Sequence, residues 1–445
     1  MSKLCIDLPP IAPDYSGAAS ALFDLGGIVV MHDASGCTGN YTGFDEPRWM
    51  GSRSAVYCSG LRRMDAIMGN DQKFIDGALA AAKDLNPALI AYLGSPVPMV
   101  IGIDLDGMAA ETEDSSGIPC FGFNTTGQHY YDKGASDVFL KLIKRFAKAP
   151  TGKAPVAGVE TDTLAGVNTG ASASANTLES DSDSGVCARK KRANVLGLLS
   201  VDMGNETNPD EICAHIEKAG YEINSRFAMG LSIEQIGRVA DADLNIVIAR
   251  CGLDAAQYME KRYGIPYICG APVGDGEIFD RKLKGEAAPE CNAASGNDVE
   301  SKVEEASKRG ILIIHEQVFA NSIREEIEAN LAEVYGDMSG DMSNSQIGTI
   351  PVTVGNMYGL DARIARPHDL NLPHELSVRK AVNSGDYSVI IADPEIAKLI
   401  RRDDVTFIDM PHVALSGRLY LDSYRSYLGY DMKNLINQAV KSASK

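Results

Sequence analysis

Several patterns that define common protein classes are missing from this sequence of 445 residues. The P-loop patterns GxxxxGKS and GxxxxGKT are absent, and no GxGxxG turn stands between a strand and a helix, so we do not expect ATP or NAD to bind directly. The metalloprotease pattern HExxH and the GxSxG elbow of serine hydrolases are absent as well. The nine cysteines include no CxxC pair, which argues against a secreted disulfide framework and favours reduced thiols.

Long apolar runs and an excess of basic charge are also missing. The most apolar stretch, residues 88–103, is interrupted by Gly94, Pro96 and Pro98 and is shorter than the roughly 20 residues of a membrane helix. Residues 1–14 do not resemble a signal peptide. The chain has 42 basic and 60 acidic side chains, and its net charge of −18 argues against nucleic acid as a partner. We therefore expect a cytoplasmic protein without a membrane segment.

Composition and length indicate a globular protein of several domains. Hydrophobic residues make up 44% of the chain and charged residues 23%, and roughly 100–200 residues per domain allows two to four domains. From Thr151 to Arg192 the sequence is dominated by Gly, Ala, Ser, Thr and Asp and contains no aromatic residue, Ile or Met. Such a segment buries too little apolar surface to offset the entropy of ordering, so we expect a flexible insertion.

Short apolar segments alternate with amphipathic segments through the rest of the chain. The clearest helix start is Asn208, which we predict to cap a helix that has Pro209 at its first position. The other segments predict strands at 27–32, 88–93, 194–200, 244–249, 311–315, 350–354 and 387–392, and helices at 73–85, 136–146, 254–263, 321–334 and 431–442.

This alternation predicts an α/β fold with three Rossmann-like, doubly wound domains whose sheets are mainly parallel. We place the first domain at 1–150, the insertion at 151–192, the second domain at 193–308, the third at 309–418 and a C-terminal closing helix at 419–445. In open α/β sheets, ligands bind beyond the carboxyl ends of the strands. The loops that follow the predicted strands are therefore the places to look for functional residues.

The first of these loops is rich in glycine and contains a cysteine. Gly36, Cys37 and Gly39 follow the strand at 27–32, and Cys58 stands about twenty residues further on. Small residues beside a thiol let backbone amides approach an anion or a metal cluster closely. The alternative interpretation, that each thiol is a small buried hydrophobic group, stays open.

Three further residues stand at predicted strand ends. Cys251 follows the strand at 244–249, His412 follows the strand-like segment VTFID, and Cys120 lies in the segment IPCFGF. Cysteine and histidine at such positions are candidates for binding a metal or a substrate. A satisfied core thiol and a loop imidazole are the structural alternatives.

Six segments of the chain stand out together: VVMHDASGCTGNYTGFDEPRW, MDAIMGNDQKFIDGAL, PALIAYLGSPVPMVIGIDLDGM, IPCFGFNTTGQHYYDKG, NIVIARCGLDAAQYMEKRYGIPYICGAPVG and DMPHVALSGRLYLDSYRSYLGYDMKNLI. In this order they resemble the nitrogenase component 1 superfamily, which includes nitrogenase catalytic subunits and dark-operative protochlorophyllide reductase subunits. The resemblance implies three Rossmann-like domains around a central cleft and the association of two subunits, as a homodimer or with a sister component 1 subunit. It also implies an iron–sulfur cluster at the subunit interface that receives electrons from an ATP-dependent iron protein.

The sequence departs from this family at two positions. The family typically offers three cluster cysteines per subunit, of which Cys37 matches one, whereas Pro13 and Pro96 stand at the other two. Cys37 and Cys58 from each of two symmetric subunits would supply the four thiolates of a [4Fe–4S] cluster, and Cys120 is a further candidate ligand. Cys251 and His412 lie near the positions that hold the active-site cofactor in the nitrogenase catalytic subunit.

The leading hypothesis is a nitrogenase-like oxidoreductase subunit that takes low-potential electrons from an ATP-dependent iron protein through an iron–sulfur cluster and reduces an unidentified small molecule or cofactor. The alternative is a non-catalytic scaffold or binding subunit for metallocofactor assembly that lacks a full cluster. A third hypothesis is a ligand-binding protein of Rossmann-like lobes that needs no metal.

Overall fold

A computed structural model describes residues 5–50, 54–151, 189–286, 309–336 and 350–444. Most of the insertion predicted at 151–192 lies outside these residues, as do Cys187 and Cys291. The described residues form three lobes, each built on one parallel sheet. Within them, no helix is both long enough and apolar enough to cross a membrane.

The first lobe contains the strands β1 (Ile28–Met31), β2 (Ala55–Cys58), β3 (Ile90–Leu93) and β4 (Cys120–Phe123). They form a parallel sheet in the order β2-β1-β3-β4. β1 and β3 are apolar at every position and buried on both faces, as expected for the centre of a parallel sheet. The helices of this lobe are α1 (Asp14–Leu22), α2 (Gly36–Asn40), α3 (Arg63–Met68), α4 (Asp71–Leu85), α5 (Pro96–Ile101), α6 (Leu105–Ser116) and α7 (Tyr131–Phe146).

The second lobe repeats this plan. Its strands are β5 (Lys191–Leu198), β6 (Tyr221–Ala228), β7 (Leu244–Val247) and β8 (Tyr267–Cys269), in the order β6-β5-β7-β8. All three strand pairs are parallel. Its helices are α8 (Ser200–Met203), α9 (Thr207–Lys218), α10 (Ile233–Gly237), α11 (Leu253–Tyr263) and α12 (Glu277–Leu283).

The third lobe has five parallel strands, β9 (Gly310–Ile314), β10 (Val352–Asn356), β11 (Leu370–Asn371), β12 (Tyr387–Ala392) and β13 (Thr406–Asp409). Their order is β11-β10-β9-β12-β13, so the chain winds outward from β9 in both directions. Its helices are α13 (Gln317–Gly336), α14 (Glu375–Val382), α15 (Pro394–Ala397), α16 (Val413–Ser416) and α17 (Tyr430–Ala443). The predicted fold class is confirmed by these three parallel sheets with helices between their strands.

Some local predictions were wrong. Asn208 does not cap a helix: α9 begins at Thr207, and the Asn208 side chain is buried and donates hydrogen bonds to the carbonyls of Met203 and Arg425. The strand β6 was not predicted, because polar residues such as Asn224 interrupt its apolar pattern although they are buried. The domain boundaries stay predictions, although β5 begins at Lys191, just inside the predicted insertion.

The helices α1 and α7 pack unusually closely in the first lobe. A Cβ atom on Gly17 would overlap the carbonyl oxygen of Tyr131, and one on Gly134 would overlap the carbonyl oxygen of Asp14. Only glycine at both positions lets the two backbones approach so closely. This contact fixes the start of α1 next to the start of α7, and each helix start contributes to one of the two regions described below.

Candidate functional site

The carboxyl edge of the first sheet carries two thiols, and we call this region the thiol edge. Cys37 lies in the first turn of α2, which follows β1, and Cys58 is the last residue of β2. Because β1 and β2 are parallel neighbours, their carboxyl ends lie at the same edge of the sheet. Both thiols are partly exposed and neither is in a disulfide.

Cys37 lies where three segments of the first lobe converge. The hydroxyl groups of Tyr15 and Ser95 lie close to its thiol and favour the thiolate form. Tyr15 follows Pro13 at the start of α1, and Ser95 directly precedes Pro96 at the start of α5. The structure therefore brings the two proline positions and Cys37 together, as the predicted cluster edge requires, but only one of the three positions carries a thiol.

Asp33 connects the two thiols. Its carboxylate accepts hydrogen bonds from the backbone N–H groups of Ser35 and Thr38, both at 3.0 Å, and so shapes the loop that presents Cys37. Its carbonyl oxygen accepts a hydrogen bond from the Cys58 thiol at 3.3 Å. Ser35 has a φ of 121°, a conformation that is strained for a residue with a side chain. The loop is thus held in a strained form by contacts that centre on one buried aspartate.

The electrostatic environment keeps the Cys37 thiol protonated in the metal-free chain. Burial raises the pKa of Cys37, and the negative charge of Asp33 adds to this effect, while the nearby hydroxyl groups of Tyr15 and Ser95 oppose it. A metal ion reverses this balance, since a coordinated thiol loses its proton. The raised pKa argues against Cys37 acting as a free nucleophile.

Gly36 and Gly39 leave open space beside Cys37. A Cβ atom added to either would meet no other atom within 4 Å, and neither has a positive φ. Neither the backbone conformation nor a close contact within the described residues therefore requires glycine at these positions. Open space of this kind next to a thiol is expected where another group approaches from outside.

The structure does not bring Cys120 to the thiol edge. Cys120 is the first residue of β4 and pairs with Ile90, the first residue of β3, so it lies at the amino edge of the same sheet. Its thiol donates to the carbonyl of Ile118, and burial raises its pKa to about 12. A strand of four residues is about 13 Å long, which is too far for one cluster to bind Cys120 and Cys37 of the same chain. Cys120 therefore does not share a cluster with Cys37 and Cys58 of its own chain.

The donor set of one chain is incomplete for a cluster. Among the described residues, no three His, Cys, Asp or Glu side chains are close enough to hold one metal ion. Cys37 and Cys58 fit an iron–sulfur cluster only as half of a ligand set, which a second subunit would complete.

A second region lies where the carboxyl ends of the second and third sheets face the start of α7, and we call it the junction. His412 follows β13 and is fully buried there. Its Nδ1 atom lies 2.5 Å from the hydroxyl of Tyr358, and its Nε2 atom lies 2.9 Å from Oδ1 of Asp202. Burial lowers the pKa of His412 to about 3, so the imidazole is neutral. Because both ring nitrogens have protein partners, His412 offers no free nitrogen to a metal.

Asp202 is the centre of the junction. It follows β5, and its Oδ1 atom also accepts a hydrogen bond from the hydroxyl of Tyr131 at 2.6 Å, whereas Oδ2 has no partner among the described residues. Glu316, which follows β9, accepts hydrogen bonds from the backbone N–H groups of Arg250, Val318 and Phe319. Burial raises the pKa values of both Asp202 and Glu316.

A cavity of about 360 Å³ lies beside the junction, and all three lobes contribute to its wall. Cys251 lines it from the turn after β7, but the thiol is almost completely buried, and burial raises its pKa well above the ordinary value. Tyr358 also lines the cavity, whereas His412 is not among the lining residues. Of the predicted pocket pair, the structure therefore places Cys251 at the cavity and His412 behind it.

Several junction residues were not predicted. Their common feature is a polar residue within a few positions of a strand's carboxyl end, which is the pattern that singled out Cys251 and His412. The same rule applied to acidic residues would have found Asp202 and Glu316. Tyr131 offers no such signal, because it begins a helix.

Comparisons with known proteins agree with this fold. The family described as Nitrogenase component 1 type Oxidoreductase matches residues 13–280, which is more than half of the chain. The structure of nitrogenase Cp1 at pH 6.5 superposes with a TM-score of 0.61 over 99% of this chain and 94% of that chain, at 14% sequence identity. At this identity the likeness concerns the fold.

Curated relatives match over shorter stretches. A light-independent protochlorophyllide reductase subunit from Angiopteris evecta is 25% identical over 232 residues, which are 52% of this chain and 40% of that protein. The corresponding protein from Chlorokybus atmophyticus is 33% identical over 86 residues, which are 19% of this chain and 17% of that protein. The matched stretches thus span less than half the length of these two relatives.

Proposed function

Because this chain belongs to the nitrogenase component 1 type oxidoreductase family, we propose that it is a reductase subunit that receives low-potential electrons from an ATP-dependent iron protein. Its substrate is a small molecule or cofactor not yet identified. The relatives named as protochlorophyllide reductase subunits support the reductase class. The observation that carries the proposal is the convergence of the Pro13, Cys37 and Pro96 segments at the thiol edge.

In this proposal an iron–sulfur cluster binds at the thiol edge between two copies of the chain. Cys37 and Cys58 of each copy supply four thiolates, which is the number that a [4Fe–4S] cluster needs. When bound, such a cluster would take up and release single electrons at a potential set by its ligands, hydrogen bonds and exposure. Within each copy, Tyr15 and Ser95 orient the Cys37 sulfur, and the Asp33 carbonyl orients the Cys58 sulfur.

Exposed apolar side chains support a second subunit at this edge. Two short helices leave the carboxyl edge of the sheet, α3 after β2 and α5 after β3, and we call their exposed residues the apolar rim. Val100 is 78% exposed and Met68 is 72% exposed. Apolar groups clustered on a surface in this way mark a protein interface. The rim consists of Met64, Ile67 and Met68 of α3 and Val97, Met99 and Val100 of α5.

Anaerobic reconstitution with iron and sulfide tests the cluster. The wild-type chain is expected to gain iron–sulfur absorption and a paramagnetic signal after reduction with dithionite. Cys37→Ala and Cys58→Ala are each expected to lose most of the bound iron. The matched control is Cys120→Ala, since this thiol lies in the same sheet at the opposite edge and should not affect iron binding. Equal iron in Cys37→Ala and Cys120→Ala would contradict the proposed ligands.

The subunit interface can be tested separately. Val100→Glu and Met68→Glu place a charge in the apolar rim and are expected to yield monomers that no longer retain a cluster, because each holds half of the ligands. Leu85→Glu is the control, since Leu85 is 48% exposed and ends α4 at the opposite edge of the sheet. Light scattering gives the mass of each variant, and a wild-type monomer that holds a complete cluster would contradict a shared site.

One observation favours the alternative, a non-catalytic scaffold or binding subunit. Prolines occupy two of the three family cluster positions, and proline offers no ligand atom to iron. A scaffold would bind a partner or a maturing metallocofactor without turnover. An iron-free chain with unchanged stability after reconstitution would support this function over the reductase.

A further inference from the structure

The junction contains more buried acidic groups than basic groups. Asp202 and Glu316 are buried to 97% or more, and Asp132 lies next to them at the start of α7. The guanidinium group of Arg250 is the basic group at this place, and it forms an ion pair with Asp132. No further cation pairs with Asp202 or Glu316 among the described residues. A buried carboxylate without a cation is costly and lowers its energy by binding a proton.

The hydrogen bonds show which acid is better placed to hold the proton. Glu316 accepts three backbone N–H groups, a pattern that stabilises an ionised carboxylate. Asp202 has hydrogen-bond partners at Oδ1 only, the Tyr131 hydroxyl and His412, while its buried Oδ2 atom has no partner among the described residues. Of the two acids, Asp202 is therefore better placed to hold a proton.

A continuous chain of hydrogen bonds leads from Oδ1 of Asp202 to a residue of the cavity wall. In a neutral imidazole one nitrogen donates and the other accepts. For the proton of Asp202 to leave along this chain, the Asp202 O–H group donates to Nε2 of His412, and the Nδ1–H group of His412 donates to the Tyr358 oxygen, which passes on its own hydroxyl proton. Tyr358 is also part of the cavity wall. The chain Asp202, His412, Tyr358 thus ends at a residue of the cavity wall.

We propose that the junction is a proton-holding site, in which Asp202 carries an exchangeable proton that the His412–Tyr358 pair connects to the cavity, and that it is not a cofactor-binding site. The use of this proton in catalysis rests on the proposed reductase function. There, each electron delivered to the substrate would be balanced by one proton from Asp202, and the ionised Asp202 would regain a proton from solvent. The net charge of the substrate would then not change.

The other groups that face Asp202 are consistent with this role. The Tyr427 hydroxyl donates to the Asp202 carbonyl, and Tyr424 and Cys251 are close neighbours whose pKa values are raised by burial. The His315 ring packs 4.4 Å from the His412 ring, and burial lowers the pKa of His315. All of these groups are therefore neutral at neutral pH, and none supplies a positive charge that would ionise Asp202.

Infrared spectroscopy of the full-length chain tests the proton directly. The difference between wild type and Asp202→Asn at neutral pH is expected to show the loss of one carbonyl band of a protonated carboxylic acid. Tyr131→Phe, which removes the hydrogen bond at Oδ1, should keep this band but shift it. Asp106→Asn, an exposed acid of α6, is the control and should show no such band. The absence of a difference band from folded Asp202→Asn would overturn the proposal.

Metal analysis tests the statement that the junction is not a cofactor-binding site. His412→Gln and Cys251→Ala are expected to keep the wild-type iron content, whereas Cys37→Ala loses it. Loss of metal from either junction variant, with an unchanged near-ultraviolet circular dichroism spectrum, would overturn the proposal. If Asp202→Asn does not fold, the Tyr131→Phe variant shows whether Asp202 holds the proton: a shifted carbonyl band supports the proposal, and an unshifted band overturns it. If the wild type binds no iron, the reductase function fails, but the infrared result still decides whether Asp202 holds a proton.

Discussion

The thiol edge and the junction are both built from residues at the carboxyl ends of parallel strands, yet one is open and the other is closed. At the thiol edge, Cys37 and Cys58 are partly exposed, Gly36 and Gly39 leave open space, and apolar side chains of α3 and α5 face solvent. At the junction, His412 is fully buried and both its ring nitrogens have partners.

The carboxyl ends of parallel strands therefore form two different kinds of site in this protein. In the proposed function, the thiol edge supplies half of a ligand set and an apolar surface to a second subunit. The junction pairs both ring nitrogens of His412 within one chain, although Oδ2 of Asp202 and both ring nitrogens of His315 have no partner among the described residues. Variants that change the stability or the iron content through one region and not through the other will show whether the two regions act independently.

The largest effect on the free energy of unfolding is expected at the contact of α1 with α7, which lies between the two regions. Gly134→Val places a side chain against the Asp14 carbonyl and pushes the helices apart, which should destabilise the chain by about 4 kcal/mol or more. Gly39→Ala is the control, since a Cβ atom there meets nothing and should change stability by less than about 1 kcal/mol. Chemical denaturation measures both, and equal stability would show that the helices do not pack as described.

The next largest effect is expected at the junction. His412→Ala leaves a cavity beside His315 and removes the partners of Tyr358 and Asp202, so the free energy of unfolding should fall by about 3 kcal/mol. The exposed His368 provides the control, and His368→Ala should change stability by less than about 0.5 kcal/mol. A loss below about 1 kcal/mol in His412→Ala would mean that the junction is not closed.

A smaller effect is expected in the pH dependence of stability. Burial raises the pKa of Asp202 to about 7, so the folded state binds more protons than the unfolded chain between about pH 4 and 7, and stability falls as the pH rises through this range. Buried neutral histidines give a slope of the opposite sign around pH 6.5, but wild type and Asp202→Asn carry the same histidines, so the difference between them isolates Asp202. Asp202→Asn should make the decrease shallower by up to about 1 kcal/mol per pH unit. An unchanged slope would contradict a protonated Asp202.

The smallest effect on stability is expected at the thiol edge of the metal-free chain. Cys37→Ala removes a half-buried thiol close to the hydroxyl groups of Tyr15 and Ser95, and should change the free energy of unfolding by less than about 1 kcal/mol. The same variant should lose most of its iron after reconstitution. A large loss of stability without metal would instead show that Cys37 has a structural role.

The sequence was sufficient for the fold class and for the position of Cys37 after β1, and less so for the junction. Near-continuous apolar strands such as β1 and β3 give a clear signal, and the Cys37 loop follows β1 directly. Cys120 was wrongly predicted to lie with Cys37, because its sequence context indicates that it stands at the end of a strand but does not show whether this is the amino or the carboxyl end. The junction depends on contacts between lobes, such as Tyr131 with Asp202, which are 71 residues apart. Such contacts follow from how the sheets face each other, and local patterns do not contain that information.

The most direct test of the thiol edge as a shared site is native mass spectrometry of the anaerobically reconstituted wild-type chain. We predict a dimer that carries one cluster of four iron and four sulfide ions, and its dissociation into iron-free monomers when the cluster is removed or when Val100→Glu disrupts the apolar rim. A monomer that retains a complete cluster, or a dimer that takes up no iron, would contradict the account.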